Sequence, residues 1–384
     1  MNEYPKVDKN LIKVTDYQVL GKLPDPFIMD DGTPITSPDQ WAERRREIYK
    51  TAIELQYGPT PPEPDFLEVT LLSKTPKVVV YSIVTGPYAH PVRFTMTLIK
   101  PRGDGPFPAV VDGDLCFQYP FTPNFGDTFV NNGIMLVLFN RTELAPDISA
   151  AGRNGQMYSA YPGVKFGALQ AWAWGYSRCV DALEKIGLAD MNCITFTGHS
   201  RGGKTAMLAG ALDERAAIVN ANETCAGGCG CYRIHMEAED ENGKVGRSET
   251  LKDILRPFTF WFGEDLPQYA EKEEELPFDS HFLKAMVAPR TLFISEAGSD
   301  IWANPIGSWQ TTMAAKEVFK FLGVEDNVFW YFRRGFHFHK IQDIEMLVNV
   351  ILHKKDGQPL HEEFFKTPFE EPDLIFDWKA PETK

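Results

Sequence analysis

A run of β-favouring residues, Cys193-Ile194-Thr195-Phe196-Thr197, passes through Gly198-His199-Ser200-Arg201-Gly202 directly into a stretch of helix formers from Lys204 to Leu212. A strand that becomes a helix within five residues needs a sharp reversal, and the two glycines permit one without a side-chain clash. Such a turn lifts the Ser200 hydroxyl clear of the strand end, which is the geometry of the G-x-S-x-G nucleophile elbow. The same five letters also serve as an ordinary helix start with serine as N-cap. The flanking strand and helix favour the nucleophile, and with it a serine hydrolase.

The rest of the chain alternates in the way such an elbow requires. Runs at Val78–Ile83 and Arg93–Ile99 predict antiparallel strands that open a sheet. Ala109–Val111 and Ile134–Phe139 predict buried parallel strands, and Ala168–Ile186 a helix that leads to the elbow strand. Further strands are expected at Ala216–Asn220, Arg290–Ser295 and Val328–Phe332. A last helix at Ile341–Lys354 carries Ile344, Leu347, Val348 and Ile351 on one face. Strand and helix in alternation imply an α/β fold with a doubly wound, mostly parallel sheet between helical layers, of the α/β-hydrolase type.

Residues 1–64, Pro-rich and with one predicted helix at Asp39–Gln56, read as an N-terminal extension wrapped on a catalytic domain at 65–355, with a tail at 356–384. An insertion at about 232–280 holds the charged stretch Glu237–Asn242 and the aromatic run Phe258-Thr259-Phe260-Trp261-Phe262, and is expected to roof the active site.

At 384 residues and 43% hydrophobic content the chain has ample material for a core. A net charge of −14 argues against nucleic acid or an anionic membrane as partner, since both need a basic surface. Met1–Asn10 has no apolar leader segment, so the sequence as written is expected to be cytoplasmic, the alternative being a secreted protein whose leader has been removed. Cys225, Cys229 and Cys231 sit in a Gly-rich run that lacks the paired spacing and fourth ligand of a zinc site, so no metal is expected.

A serine hydroxyl needs a base, and the base an orienting acid; in this fold they follow in the order serine, acid, histidine. His337 and His339 follow the last predicted strand, where the base loop belongs, and His337 is the first choice. His353 falls within the last helix and His361 in the tail. Two carboxylates stand after strand ends, Glu223 and Asp300, and general topology favours Asp300. Arg201 follows the nucleophile, so its backbone N–H is expected to face the developing oxyanion. Lys204 lies one helical turn on from Ser200.

Taken together the chain resembles the glucuronoyl esterases of carbohydrate esterase family 15, from about Leu23 to His337. The most specific match is Gly198-His199-Ser200-Arg201-Gly202-Gly203-Lys204, against G-[CH]-S-R-x-G-K in the family. Leu23–Phe27, Phe139-Asn140-Arg141, Gly167–Gly175, Leu276–Asp279 and Asp300–Pro305 support it. The resemblance implies hydrolysis of esters of (4-O-methyl)glucuronic acid, as in lignin–xylan cross-links or small alkyl and aryl glucuronates, with no cofactor. It places the triad acid 23 residues after the serine, at Glu223, and so overrules the topological preference, leaving Asp300 as an alternative acid nearby. It adds the Arg201 guanidinium to the oxyanion hole and implies sugar contacts for Lys204, Glu249 and Trp302.

His199 before the nucleophile is closer to the bacterial than to the fungal branch, which has cysteine there. Phe338-His339-Lys340 departs from the family pattern on the leaving-group side and keeps His339 as runner-up base. A carbohydrate O-acetyl esterase on the same fold is the alternative activity and an inactive glycan-binding relative the remote one. The expected partner is a glucuronoxylan-derived or small glucuronate ester, and the expected state a monomer.

Overall fold

The computed structural model describes residues 4–117 and 124–382, and twelve strands among them fall into two sheets. Nine make the central sheet: β2 (Phe66–Lys74), β3 (Val78–Gly86), β4 (Val92–Ile99), β5 (Phe107–Asp112), β6 (Met135–Phe139), β7 (Ala189–Thr197), β8 (Ala216–Asn222), β11 (Thr291–Ala297) and β12 (Val328–Arg333). Their order across the sheet is β12-β11-β8-β7-β5-β6-β4-β3-β2. From β12 to β6 every pairing is parallel, and β4, β3 and β2 add an antiparallel end.

The parallel strands are largely buried because helices cover both faces, and β6, MLVLF, is hydrophobic and buried throughout. The chain leaves β5 toward β6 on one side and crosses from β7 toward β8 on the other. The crevice at the carboxyl ends of β5 and β7 is therefore the topological switch point of the sheet, the place where open α/β sheets bind ligands.

Helix Ala168–Ile186 has the predicted bounds. The N-terminal helix is α-helical over Trp41–Ile48, widens to a π-turn over Tyr49–Glu54 and closes at Leu55–Tyr57, one to two residues inside the expected range at its start. A helix and a small sheet stand out among the elements that had no sequence expectation. Helix Pro305–Phe321 is buried on nearly all sides and so shows no apolar stripe. The second sheet pairs β1 (Lys13–Val19) with β9 (Ile234–Glu239) and β10 (Val245–Arg247), so the N-terminal extension holds the insertion by backbone hydrogen bonds. No helix among the described residues is long and apolar enough to cross a membrane.

Candidate active site

Each strand that ends at the crevice delivers one piece. Ser200 follows β7 with φ 56° and ψ −121°, a backbone conformation costing of order 1–3 kcal/mol for a residue with a side chain. Its hydroxyl does not cap helix Arg201–Leu212, so the plain N-cap reading of the motif does not apply. The turn is held by backbone: Ser200 N–H donates to Asn222 O at 2.9 Å and Asn222 N–H to Gly198 O at 3.2 Å.

Both motif glycines are required by close approach. A Cβ on Gly198 would stand 2.5 Å from the Gly202 carbonyl, and one on Gly202 1.9 Å from the Asp114 carboxylate. That carboxylate accepts from His199 N–H at 3.1 Å and pairs with Arg141, whose side chain is 0% exposed. His199 Nδ1–H donates to Asn222 Oδ1 at 2.6 Å, and burial holds its imidazole well below the usual range, so it is neutral.

Arg201 is fixed from three sides. Its guanidinium pairs with Asp147 at 3.0 Å. It lies 4.9 Å from the Trp261 ring and 5.1 Å from Phe258, two rings that themselves stack at 3.8 Å. Trp261 Nε1–H donates to the other Asp147 oxygen at 2.9 Å. This ion pair pins the guanidinium next to the elbow instead of leaving Arg201 a loose surface residue. The aromatic run of the insertion is the floor beneath this arginine. Asp147 had no sequence signal at all.

On the other side His337, carried by the loop after β12, meets two carboxylates. Its Nδ1–H donates to Asp300 Oδ2 at 2.6 Å, while Glu223 Oε2 stands 3.4 Å from the same nitrogen. Glu223 is wholly buried, and its oxygens are taken by Arg333 and by Phe338 N–H at 3.1 Å. Burial pushes the Glu223 carboxyl well above its ordinary value, with Arg333 opposing the shift. Both acids expected from sequence are thus at the base, and the shorter, better-aligned contact is Asp300's. The His337 side chain is 37% exposed and its ring centre is 4.6 Å from that of His199. The polar contacts of the His337 ring are with Asp300 and Glu223, and it makes no hydrogen bond to Ser200 in this structure.

His339 does not share the opening: burial drives its imidazole down to about 3, and the ring stacks on His199 at 5.5 Å. His353 contacts Gln358 O at 2.7 Å near the end of the last helix, away from the crevice.

Lys204 was expected at the mouth; it is 3% exposed, and its ammonium is turned to the Thr224 carbonyl beneath the site. Glu249 accepts from Ala226 N–H at 3.1 Å and its backbone donates to Trp302 O at 3.0 Å, which brings the two residues of the expected sugar pocket together. Burial raises the Glu249 carboxyl from its ordinary value. Trp302 is 41% exposed, with the Arg247 guanidinium 5.2 Å from its ring. A cavity of about 250 Å³ lined by Trp302, Asp300, His337, Arg247, Lys244 and Phe336 joins the base to these residues. A larger hollow of about 660 Å³ between Arg45, Trp174 and Arg215 lies away from the carboxyl ends of the strands, and Arg45, Arg178 and Arg215 in its lining are paired to acids.

His199, Glu223 and His337, and likewise Cys225, Asp300 and His337, bring donor atoms within 4.8 Å of one another. Both sets share the imidazole that Asp300 already engages. All six cysteines are free thiols, and the three of the Gly-rich run converge on no common ligand set among the described residues.

The family described as fungal glucuronyl esterase matches residues 87–323. A 4-O-methyl-glucuronoyl methylesterase of Podospora anserina is 33% identical over 84% of this chain; the chain spans 64% of that protein's length. Among solved structures, a carbohydrate esterase family 15 glucuronoyl esterase from Caldicellulosiruptor kristjansonii superposes with a TM-score of 0.84 at 29% identity, covering 94% of this chain and 98% of the other. A mutant of the Sporotrichum thermophile glucuronoyl esterase, solved with methyl 4-O-methyl-β-D-glucopyranuronate, gives a TM-score of 0.74 at 26% identity over 97% of this chain and 96% of that one.

Proposed function

The chain belongs to the glucuronoyl esterase family, and from that premise we propose that it hydrolyses esters of (4-O-methyl)glucuronic acid through an acyl-enzyme on Ser200. Ser200 Oγ attacks the ester carbonyl carbon as His337 Nε2 takes its proton. The negative charge that develops on the carbonyl oxygen faces the Arg201 backbone N–H, at the start of its helix, and the Arg201 guanidinium. Collapse of the tetrahedral intermediate expels the alcohol, which receives the proton from His337. Water, deprotonated by the same imidazole, then attacks the acyl carbon and releases glucuronate and Ser200.

Asp300 holds the imidazole with its proton on Nδ1 so that Nε2 faces the serine, and Glu223 supports the loop from beneath. Trp302 and Glu249 line the sugar side, and the partner is a glucuronoxylan-derived or small glucuronate ester.

The observation that carries this reading is the Arg201 guanidinium, locked by Asp147, Phe258 and Trp261 beside the elbow serine. A carbohydrate acetyl ester carries its sugar on the alcohol, which departs in the first step, whereas a glucuronate ester keeps its sugar on the acyl group attached to Ser200. Purified protein assayed on benzyl glucuronate and on an acetylated xyloside side by side tests it. Preference for the glucuronate is expected, and preference for the acetate would leave the hydrolase standing and overturn the substrate.

A further inference from the structure

The loop that carries His337 has one packed ring, His339, which stacks on His199 at 5.5 Å and lies 5.3 Å from Phe125. Phe336 and Phe338, on either side of the base, are 44% and 62% exposed, and Gly335 turns with φ +102°. A loop with its hydrophobic side chains in solvent drifts unless something polar holds it, and an imidazole displaced by 1 Å can cost on the order of a hundredfold in rate.

Ser299 N–H and Glu241 fasten the loop at Gly335, and what holds the segment on both sides of His337 is the side chain at the end of β12. Arg333 is 1% exposed, and all five of its N–H groups are used. Nε donates to Asp343, at 2.9 Å to one oxygen. Nη1 donates to the carbonyls of Arg334 at 3.2 Å and Phe336 at 3.1 Å. Nη2 donates to the Phe338 carbonyl and to Glu223. The carbonyls before and after His337 are therefore both bound to one planar, rigid group. Glu223 closes the clamp by accepting from Phe338 N–H at 3.1 Å, and Asp343 ties it to helix Ile341–Asp356 by accepting from Lys340 N–H at 2.9 Å.

We propose that Arg333 is the positioning residue of the base. It fixes the His337 imidazole against Asp300 by gripping the backbone on both sides of it, and it engages Glu223 as part of that clamp. The proposal rests on the reading of His337 as the base. Lysine cannot replace it: an ammonium has three donors and no fork, so it serves one carboxylate and at most part of the loop. A mere counterion for Glu223 and Asp343 would be satisfied by lysine's charge.

The test is Arg333→Lys on the whole chain, with kcat counted per serine titrated by a fluorophosphonate, on benzyl glucuronate and on nitrophenyl acetate. The expected result is a folded protein in which kcat falls roughly tenfold to a hundredfold on both esters by the same factor, with KM within about twofold of the parent. Unchanged kcat per titrated serine would overturn the proposal, because a purely structural arginine alters the folded fraction and not the rate of the folded molecules. The double variant Arg333→Gln, Glu223→Gln removes the charge pair together. If it restores the parent kcat, Arg333 is a counterion and the proposal fails; if kcat stays low while thermal stability recovers relative to Arg333→Gln, the grip on the loop is the cause. His337→Ala is the separate control: full activity there would remove His337 as base, whatever Arg333 does.

Discussion

The turn that presents Ser200 is held by backbone hydrogen bonds and by the absence of two side chains, whereas the loop that presents His337 is held by one guanidinium and the carboxylates around it. At the elbow the constraints lie within five residues of the serine and on the neighbouring strand. At the base they arrive from Glu223, 110 positions from Arg333, and from Asp300, 37 positions from His337. The first is mainly steric, with the Asp114 carboxylate accepting from His199 N–H, and is intolerant of added atoms. The second is electrostatic, depends on buried charges being matched, and tolerates change in size but not in charge or fork geometry. A nucleophile must be strained and immobile, and a base must move a proton in two directions; each side is built from the physics that suits its task.

Substitutions on the two sides separate these accounts. Ser200→Ala should lower turnover by several orders of magnitude while circular dichroism and melting stay those of the parent, because the hydroxyl caps nothing. A loss under about a thousandfold would remove Ser200 as nucleophile.

Asp300→Asn should come next, with a loss between about 10² and 10⁴-fold in kcat, since the amide can hold the wrong imidazole tautomer. Glu223→Gln should cost only about tenfold while lowering the melting temperature, because Arg333 then lacks a buried partner. The reverse ranking in steady-state kinetics would return the role of triad acid to Glu223.

Gly202→Ala should destabilise the fold, its Cβ being driven to 1.9 Å from Asp114, a carboxylate already locked to Arg141. A cost of about 3 kcal/mol in denaturant unfolding is expected, at the upper end for overpacking. Ordinary stability in that variant would show that the elbow is looser than described.

The smallest effect concerns pH and belongs to the base side. Glu296, on β11 beneath the acids, is buried, accepts from Ser308 Oγ at 2.7 Å, and is raised by burial from 4.5 to about 8. Between those values the folded chain keeps a proton that the unfolded chain releases. This contribution to stability is complete below the unfolded value and is lost as pH rises through about 8. Glu296→Gln should therefore melt with a flatter dependence on pH between about 5 and 9 than the parent, by no more than a few degrees. An unchanged slope would mean that Glu296 is ionised in the fold.

How much of this is readable without coordinates differs between the two sides in the same way. The strand, the elbow and the helix after it follow from local sterics, and helix Ala168–Ile186 from its own periodicity. Helix Pro305–Phe321 was missed although Asn304 caps it and Pro305 opens it, because burial all round erases the stripe that marks a helix. Strand β1 was missed because its exposed residues carry no apolar alternation; what makes it a strand is β9, more than 200 positions away.

Both carboxylates and the histidine were legible as candidates, each standing in a loop after a strand. The choice between Glu223 and Asp300 was not, since the family pattern and the general topology pointed to different residues, and 2.6 Å against 3.4 Å is a fact about how β8, β11 and β12 lie side by side. Asp147, Phe258 and Trp261 around Arg201, and Arg333 beneath the base, carry no motif.

The sequence by itself determined the fold class, the family and the strand-turn-helix that presents Ser200, because those depend on short-range backbone sterics and contiguous motifs. Only the tertiary structure decided which acid touches the base, what immobilises the oxyanion arginine and what grips the base loop. Those are distances between side chains brought together by strand order, and a buried charge settles on whichever partner the packing leaves within reach.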